Sequence, residues 1–345
     1  MRKNCGTTAK YAARACALLI AGGLVFAGGM TSYAAPQAVA SEKFSVKVIT
    51  DGNTYMPNTS FGFQVLSGGT DEYGGQTVLK GVDGAVTAGN VAYRPSEGLA
   101  DSGHQGTITY DSSRFTAPGI YHYTITGLAQ DPVTGEPCEG IRYDTEVRDL
   151  YVYVQNGADA GSFEVFGSAM VRRGQTAKNE GFTENYGNED DPDPNDSTHD
   201  VTLVHKVTGN QGDTRKDFPY KVKVTGGEGE QYKIVVDGNT VLTALSSGKE
   251  AEFTLRDGQK AQIFGLTEND RYEFTAVDAN KDGYTTTYQG SMAGKLTADD
   301  AVVTASYDRN VAAATGVMTD IAPFGILAAA AAGAILTAGM SRRRR

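Results

Sequence analysis

Phe44-Ser-Val-Lys-Val-Ile49 alternates apolar and polar residues, and its β-branched and aromatic members mark a strand with one buried face. The same period of two returns in Phe61-Gly-Phe-Gln-Val65, Gly106-Thr-Ile-Thr-Tyr110, Ile120-Tyr-His-Tyr-Thr-Ile125 and Asp149-Leu-Tyr-Val-Tyr-Val154. Turns rich in Gly, Asp, Asn and Pro separate these runs. No segment between the two ends of the chain keeps a helical period over three turns. Residues 41–186 are therefore expected to form one all-β unit. Within it, the long Gly-rich stretch 68–105 reads as a loop suited to binding or to mobility. Strands are expected again at 201–208, 218–225, 231–236, 251–255, 260–266, 271–277, 284–288 and 301–307. Short strands at this spacing indicate a second sandwich or Greek-key unit over residues 200–310. Residues 187–199 lie between the two units and carry two Pro, five acids and no apolar side chain, the composition of a linker.

Both ends of the chain read as addresses. Residues 1–34 hold a basic start, an apolar run from Ala15 to Ala27 and then small residues, which together predict a secretory signal peptide. At the other end, residues 321–340 are twenty mostly apolar residues followed by Ser341 and four Arg. That length crosses a bilayer as a helix, with the Arg cluster on the cytoplasmic side. The expected location is thus the cell surface, with most of the chain outside and one tail in the membrane or wall.

The ends also hide the charge of what lies between them. The 345 residues include 31 basic and 41 acidic ones, but between the two ends the counts are 23 and 40, a net charge of −17. Such a surface repels nucleic acid and anionic lipid, so neither is an expected partner by charge. Cys5 and Cys16 fall in the signal segment, which leaves Cys138 alone and without a disulfide partner.

Catalytic and metal chemistry finds little support. His104, His122, His199 and His205 are scattered, with no spacing for a metal or a triad. Cys138 sits in a turn with no obvious base and reads as a bystander. Asp278-Ala-Asn-Lys-Asp-Gly-Tyr284 opens like a calcium loop, but its twelfth position is Gln289 and its flanks read as strands. The acidic linker reads as a linker rather than a calcium site. Gly226-Gly-Glu-Gly229 precedes no helix and makes a poor phosphate cradle. No cofactor, no metal and no enzyme activity are expected.

Two regions resemble known surface proteins. Lys206-Val-Thr-Gly-Asn-Gln-Gly-Asp-Thr-Arg-Lys-Asp-Phe218, Leu255-Arg-Asp-Gly-Gln-Lys-Ala-Gln-Ile-Phe-Gly-Leu266 and Gly283-Tyr-Thr-Thr-Thr287 are similar to the C-terminal Cna-B-like module of Gram-positive pilins. Residues 41–186 resemble the isopeptide-linkage domain of FctA-like pilins. The residues concerned are Pro57, Phe61-Gly-Phe63, Pro118-Gly-Ile-Tyr-His-Tyr-Thr-Ile125, Tyr143-Asp144, Leu150-Tyr-Val-Tyr-Val154 and Gly181-Phe-Thr-Glu-Asn-Tyr186. The tail Thr315-Gly-Val-Met-Thr-Asp-Ile-Ala-Pro-Phe324 is similar to that family's sorting signal.

The resemblance implies two tandem Ig-like or Cna-B-like sandwiches and a mechanical role. It also implies a Lys–Asn isopeptide bond between the first and last strands of each sandwich. Such a bond needs a buried Lys, an Asn and a carboxyl group that shuttles protons. In the second unit the Lys, Glu and Asn positions fall on His205, Ala276 and Tyr307, so no bond is expected there. The alternative is a slipped register using Lys206. In the first unit Lys47 fits the family Lys, Gly127 takes the Glu position and Glu184 takes the Asn position, with Asn185 beside it. A Lys47–Glu184 salt bridge and a Lys47–Asn185 bond both fit. Ala312-Ala-Ala-Thr-Gly316 keeps Thr315 and Gly316 of a sortase motif but lacks its Pro, so cleavage is expected between Thr315 and Gly316 or not at all. Lys178 is the candidate for receiving the next subunit; the plainer reading is a solvated loop lysine.

The expected function is that of a pilin-like subunit or stalk on a Gram-positive surface, partnered by other pilin subunits and a sortase. The alternative is an adhesin that binds a host protein or glycan.

Overall fold

The computed structural model describes residues 36–100, 103–175, 177–178, 181–187, 198–297 and 299–312. The signal segment, almost all of the acidic linker, the Thr315–Gly316 pair and the apolar tail fall outside the described residues.

The alternating runs become sheets. In order they are β1 (Ser41–Ile49), β2 (Thr59–Phe61), β3 (Phe63–Ser67), β4 (Asp71–Tyr73), β5 (Gln76–Lys80), β6 (Val86–Ala88), β7 (Val91–Tyr93), β8 (His104–Tyr110), β9 (Gly119–Gly127), β10 (Ile141–Arg142), β11 (Arg148–Asn156), β12 (Phe163–Arg172) and β13 (Gly181–Tyr186). One sheet runs β10-β13-β1-β8-β6 and a facing one runs β12-β11-β9-β5-β4, with β3 also on β9. Their inner faces bury Phe44, Val46, Val48, Phe63, Ile108, Tyr123, Ile125, Leu150, Val152 and Phe182 in one core, to which the separate β2-β7 pair adds Phe61. The stretch 68–105 is not one long loop, as the sequence reading expects, because it contains β4 to β7. These strands are short because Gly74, Gly75 and Gly84, all at positive φ, end them in turns that side chains would strain. Among the described residues, helix is confined to two short 3-10 turns, at Pro95–Glu97 and Ser112–Arg114.

The later strands are β14 (His199–Thr208), β15 (Phe218–Thr225), β16 (Gln231–Val236), β17 (Asn239–Ser246), β18 (Glu250–Leu255), β19 (Lys260–Leu266), β20 (Arg271–Ala276), β21 (Thr285–Gln289), β22 (Ala293–Lys295) and β23 (Ala301–Asp308). They form two facing sheets, β17-β16-β19-β14-β23-β21 and β18-β15-β20-β22. Their own core runs from Val201 to Tyr307. β17 and β22 were not foreseen from sequence; β17 buries Leu245 but leaves Val241 half exposed, a weak alternation.

Both sandwiches lay their first and last strands side by side and parallel, β1 against β13 and β14 against β23. Residues far apart in sequence are thereby brought opposite one another.

Candidate functional site

The strand pairing decides what each sequence-derived position can do. Val46 pairs with Phe182 and Val48 with Glu184, all inward, while Lys47 pairs with Thr183 and both are exposed. The expectation that Lys47 meets Glu184 in a salt bridge is therefore corrected: the two side chains leave opposite faces of the sheet. Asn185 shares the outward phase of β13 with Thr183, but it pairs with Ile49 rather than with Lys47. A register error of one residue inverts the face in a strand. The residue facing Glu184 is Val48, which has no amine.

Glu184 is 1 % exposed. Its Oε2 accepts the Asp144 backbone N–H at 2.6 Å. Burial pushes its carboxyl up to about 7, with the Asp144 charge adding to the rise. Beside it, Arg148 is fully buried and holds Asp144 in a two-point ion pair, Nη1 to Oδ1 at 3.0 Å and Nη2 to Oδ2 at 2.5 Å. The guanidinium also lies 3.9 Å from the centre of the Phe182 ring. Burial acts to raise the Asp144 carboxyl, but the Arg148 bonds and the Thr183 N–H outweigh it and the net shift is downward. Gly127 is where the backbone of Asp144 comes closest: a Cβ on Gly127 would lie 2.4 Å from the Asp144 carbonyl oxygen. No acidic side chain fits there. The expected Lys–Glu–Asn site of the first sandwich is thus a valine, a glycine and a buried carboxyl beside an arginine–aspartate pair. Arg148 was missed from the sequence, although the inward phase of Leu150, Val152 and Val154 includes it.

In the second sandwich the three changed positions do converge. His205 is fully buried. Its ring centre lies 4.9 Å from that of Tyr307 and 4.5 Å from that of Phe218. His205 Nδ1 lies 2.7 Å from Tyr220 Oη, and Tyr220 pairs across the sheet with Ala276. His205 Nε2 has no hydrogen-bond partner, and burial lowers the imidazole to about 4, so it packs as a neutral ring. The Tyr307 hydroxyl lies within electrostatic reach of Tyr220 and Thr286 but outside hydrogen-bonding geometry. Lys206 is exposed, on the face opposite to His205. An aromatic cluster stands where the family resemblance places a covalent link.

Lys178 is exposed and is fixed at its base by a lone β-bridge to Val171. It lines a groove of about 470 Å³ with Glu42, Phe44, Ile108, Ser168 and Met170. In that groove Tyr110 Oη donates to Glu42 Oε2 at 2.7 Å, and the Ser168 hydroxyl donates to the same oxygen. Lys43, Ser45 and Gln105 line it too, so its walls mix polar and apolar side chains and carry two lysines.

Other sequence candidates are accounted for locally. Around Asp278–Gly283, Asn280 and Asp282 adopt positive φ, Asp278 pairs with Lys281 and Asp282 with Lys216, so the loop is a turn closed by its own Lys281 and by Lys216 from the segment before β15. Among the described residues no three His, Cys, Asp or Glu side chains group to hold a metal. The Cys138 thiol is pushed up to about 12 by burial and the nearby acids Glu230 and Asp131, which leaves it a poor nucleophile.

A domain family of unknown function (DUF7601) matches residues 199–309, the span of the second sandwich. Over 315 residues the chain is 24% identical to the pilin of Streptococcus pyogenes serotype M1, covering 84% of this chain and 86% of that protein. A segment of 126 residues is 28% identical to the pilus tip adhesin Cpa of Streptococcus pyogenes, covering 36% of this chain and 18% of the adhesin. Among solved structures, the major pilin from Streptococcus pyogenes superposes with a TM-score of 0.60 at 20% identity, over 79% of this chain and 99% of that one. The T3.2 major pilin of the same species gives 0.57 at 19% identity, with the same coverage. The chain is a homologue of the streptococcal pilins and is built on their fold.

Proposed function

We propose that this protein is a structural subunit of a surface pilus. The observation that carries the reading is the 24% identity to a pilin over 84% of the chain. Pilin homologues are structural rather than enzymatic, and the site geometry fits that role: among the described residues it has buried charges and rings, with no reactive thiol and no catalytic triad. The layout proposed is a signal peptide over 1–34, a first domain over 41–186, a linker over 187–199, a second domain over 200–310 and a sorting tail over 311–345. The separate cores of the two sandwiches support that division.

Assembly then requires a sortase to open the chain between Thr315 and Gly316 and pass the Thr315 acyl group to Lys178 of the next subunit. The exposure of Lys178 supports this placement. Neither sandwich closes an internal isopeptide bond, because Val48 and His205 stand where an amine is needed. Tandem mass spectrometry of tryptic peptides from wall extracts tests the linkage. A branched peptide joining Thr315 to Lys178 is expected; unmodified Lys178 throughout a polymer would refute the assignment.

The partial match to a tip adhesin favours a second reading, a surface adhesin, over the matched segment only. Capture of a host protein or glycan by monomers that never polymerise would support it.

A further inference from the structure

Two carboxyl groups meet on one phenol at the place where the sandwiches touch. Tyr232 Oη lies 2.8 Å from Glu230 Oε2 and 3.2 Å from Asp270 Oδ2. A phenol carries one proton and can donate it once, so the second oxygen–oxygen contact needs another proton. The two carboxyls and the phenol are also pressed against one backbone point. A Cβ on Gly226 would lie 2.2 Å from Asp270 Oδ1, 2.3 Å from Glu230 Oε2 and 2.3 Å from Tyr232 Oη. Each carboxyl accepts one backbone bond besides, from Gly227 N–H at 2.7 Å and from Thr267 N–H at 3.0 Å.

We propose that Glu230 and Asp270 share one proton across the Tyr232 hydroxyl, and that this proton latches the two sandwiches together. The segments that hold the pair are the ones that bond the first sandwich. Two residues before Glu230, the Glu228 carbonyl accepts Asn58 Nδ2 at 2.6 Å. One residue after Tyr232, Lys233 Nζ donates to Asn53 Oδ1 at 2.8 Å. One residue before Asp270, Asn269 Nδ2 donates to Glu139 Oε1 at 2.8 Å. Any movement of the two carboxyls therefore pulls on the junction.

Among the described residues, none of the cations around the two carboxyls is paired with them. The loop and strand end of the first sandwich present Glu139, Asp131, Cys138, exposed Arg142, Tyr143 and buried Tyr186. On the second sandwich, Glu228, Glu268 and Arg271 are exposed, Lys233 is engaged by Asn53, and His199 is turned to Asp300 at 3.9 Å. Among the described residues, Glu230, Asp270 and Glu139 make no ion pair with Lys, Arg or His. Burial first, and then the Glu230 charge, push the Asp270 carboxyl up to about 7. Below that pH the shared proton is in place. Above it the proton leaves to solvent, two negative charges face each other across Tyr232, and the junction loosens. The inference stands whether or not the chain polymerises.

The test is a carboxyl NMR titration of the full chain labelled with [13C]carboxyl Asp and Glu, in a Glu184→Gln background that removes the other carboxyl titrating near neutrality. One of the two carboxyls is expected to titrate near neutral pH, with the resonance of the other moving at the same pH. Two separate midpoints in the ordinary carboxylate range overturn the shared proton. Hydrogen exchange over residues 53–58 and 226–233 reads the latch. Protection is expected to fall about tenfold between about pH 6 and pH 9 in the parent chain and to stay level in Asp270→Asn. Level protection in the parent, or an equal fall in both, overturns it. Tyr232→Phe keeps both carboxyls and their mutual repulsion but removes the bridge, so it should weaken the coupling of the two titrations; coupling as strong as in the parent would count against the proposal.

Discussion

Replacing His205 by phenylalanine should trade stability at neutral pH for stability in acid. The imidazole titrates near 6.5 in an unfolded chain and near 4 in the folded one, because burial resists the charged form. Between those values the unfolded chain binds a proton that the folded chain refuses. Stability of the second sandwich is thus complete above about pH 6.5 and falls as the pH drops toward about 4. The difference amounts to about 3 kcal/mol. His205→Phe abolishes that loss. It also removes the 2.7 Å partner of Tyr220 Oη, and a buried hydroxyl left without a partner costs roughly 1–3 kcal/mol. The variant should accordingly be the less stable protein at pH 7, and its deficit should shrink or reverse near pH 4. The chain has no Trp. Urea unfolding is therefore best followed by hydrogen-exchange mass spectrometry on peptides from β14 to β23. A parent curve that is flat from pH 7 to pH 4 would refute the reasoning, as would a variant that loses stability in acid as steeply as the parent.

The first sandwich should show the opposite slope. Glu184, held near 7 against an ordinary 4.5, contributes fully below about pH 4.5 and loses about 3 kcal/mol as pH rises through 7; Glu184→Gln should flatten that dependence in the same exchange assay. Asp144→Asn should cost about 3–5 kcal/mol, because it leaves Arg148 buried without its carboxylate, and a loss under about 1 kcal/mol in the unfolding midpoint would argue against the pair. Gly127→Ala should cost roughly 1–3 kcal/mol through the clash with the Asp144 carbonyl, measured as a drop in thermal midpoint. Intact mass of the exported chain should equal that of its plain sequence, since each isopeptide bond would release one ammonia.

Much of this was legible from the alternating runs. Phe44, Val46 and Val48 set one face of β1, and that phase already places Lys47 outside; taking Lys47 as the family lysine weighed residue type above period. Tyr123 and Ile125, and Leu150 and Val152, likewise announce the inward faces of β9 and β11. Three things were not legible. The parallel pairing of β1 with β13 sets Val48 against Glu184, and no local pattern encodes a contact between strands so far apart. The Gly127 approach depends on where the backbone of a distant loop passes. The Glu230–Tyr232–Asp270 cluster joins a turn and a loop through a hydroxyl, and each of those acids reads as solvated when taken alone. His205 lay between these cases: its position in an inward-facing run was visible, but its partners Tyr220 and Tyr307 became visible only with the fold.

The central claim is that the protein is a pilus subunit, and one measurement bears on it most directly. Wall extracts of the cells that make it, boiled in SDS and blotted with antibody to the second sandwich, should show a regular ladder of multiples of the monomer. A single band at monomer mass in extracts that contain the protein would contradict the account.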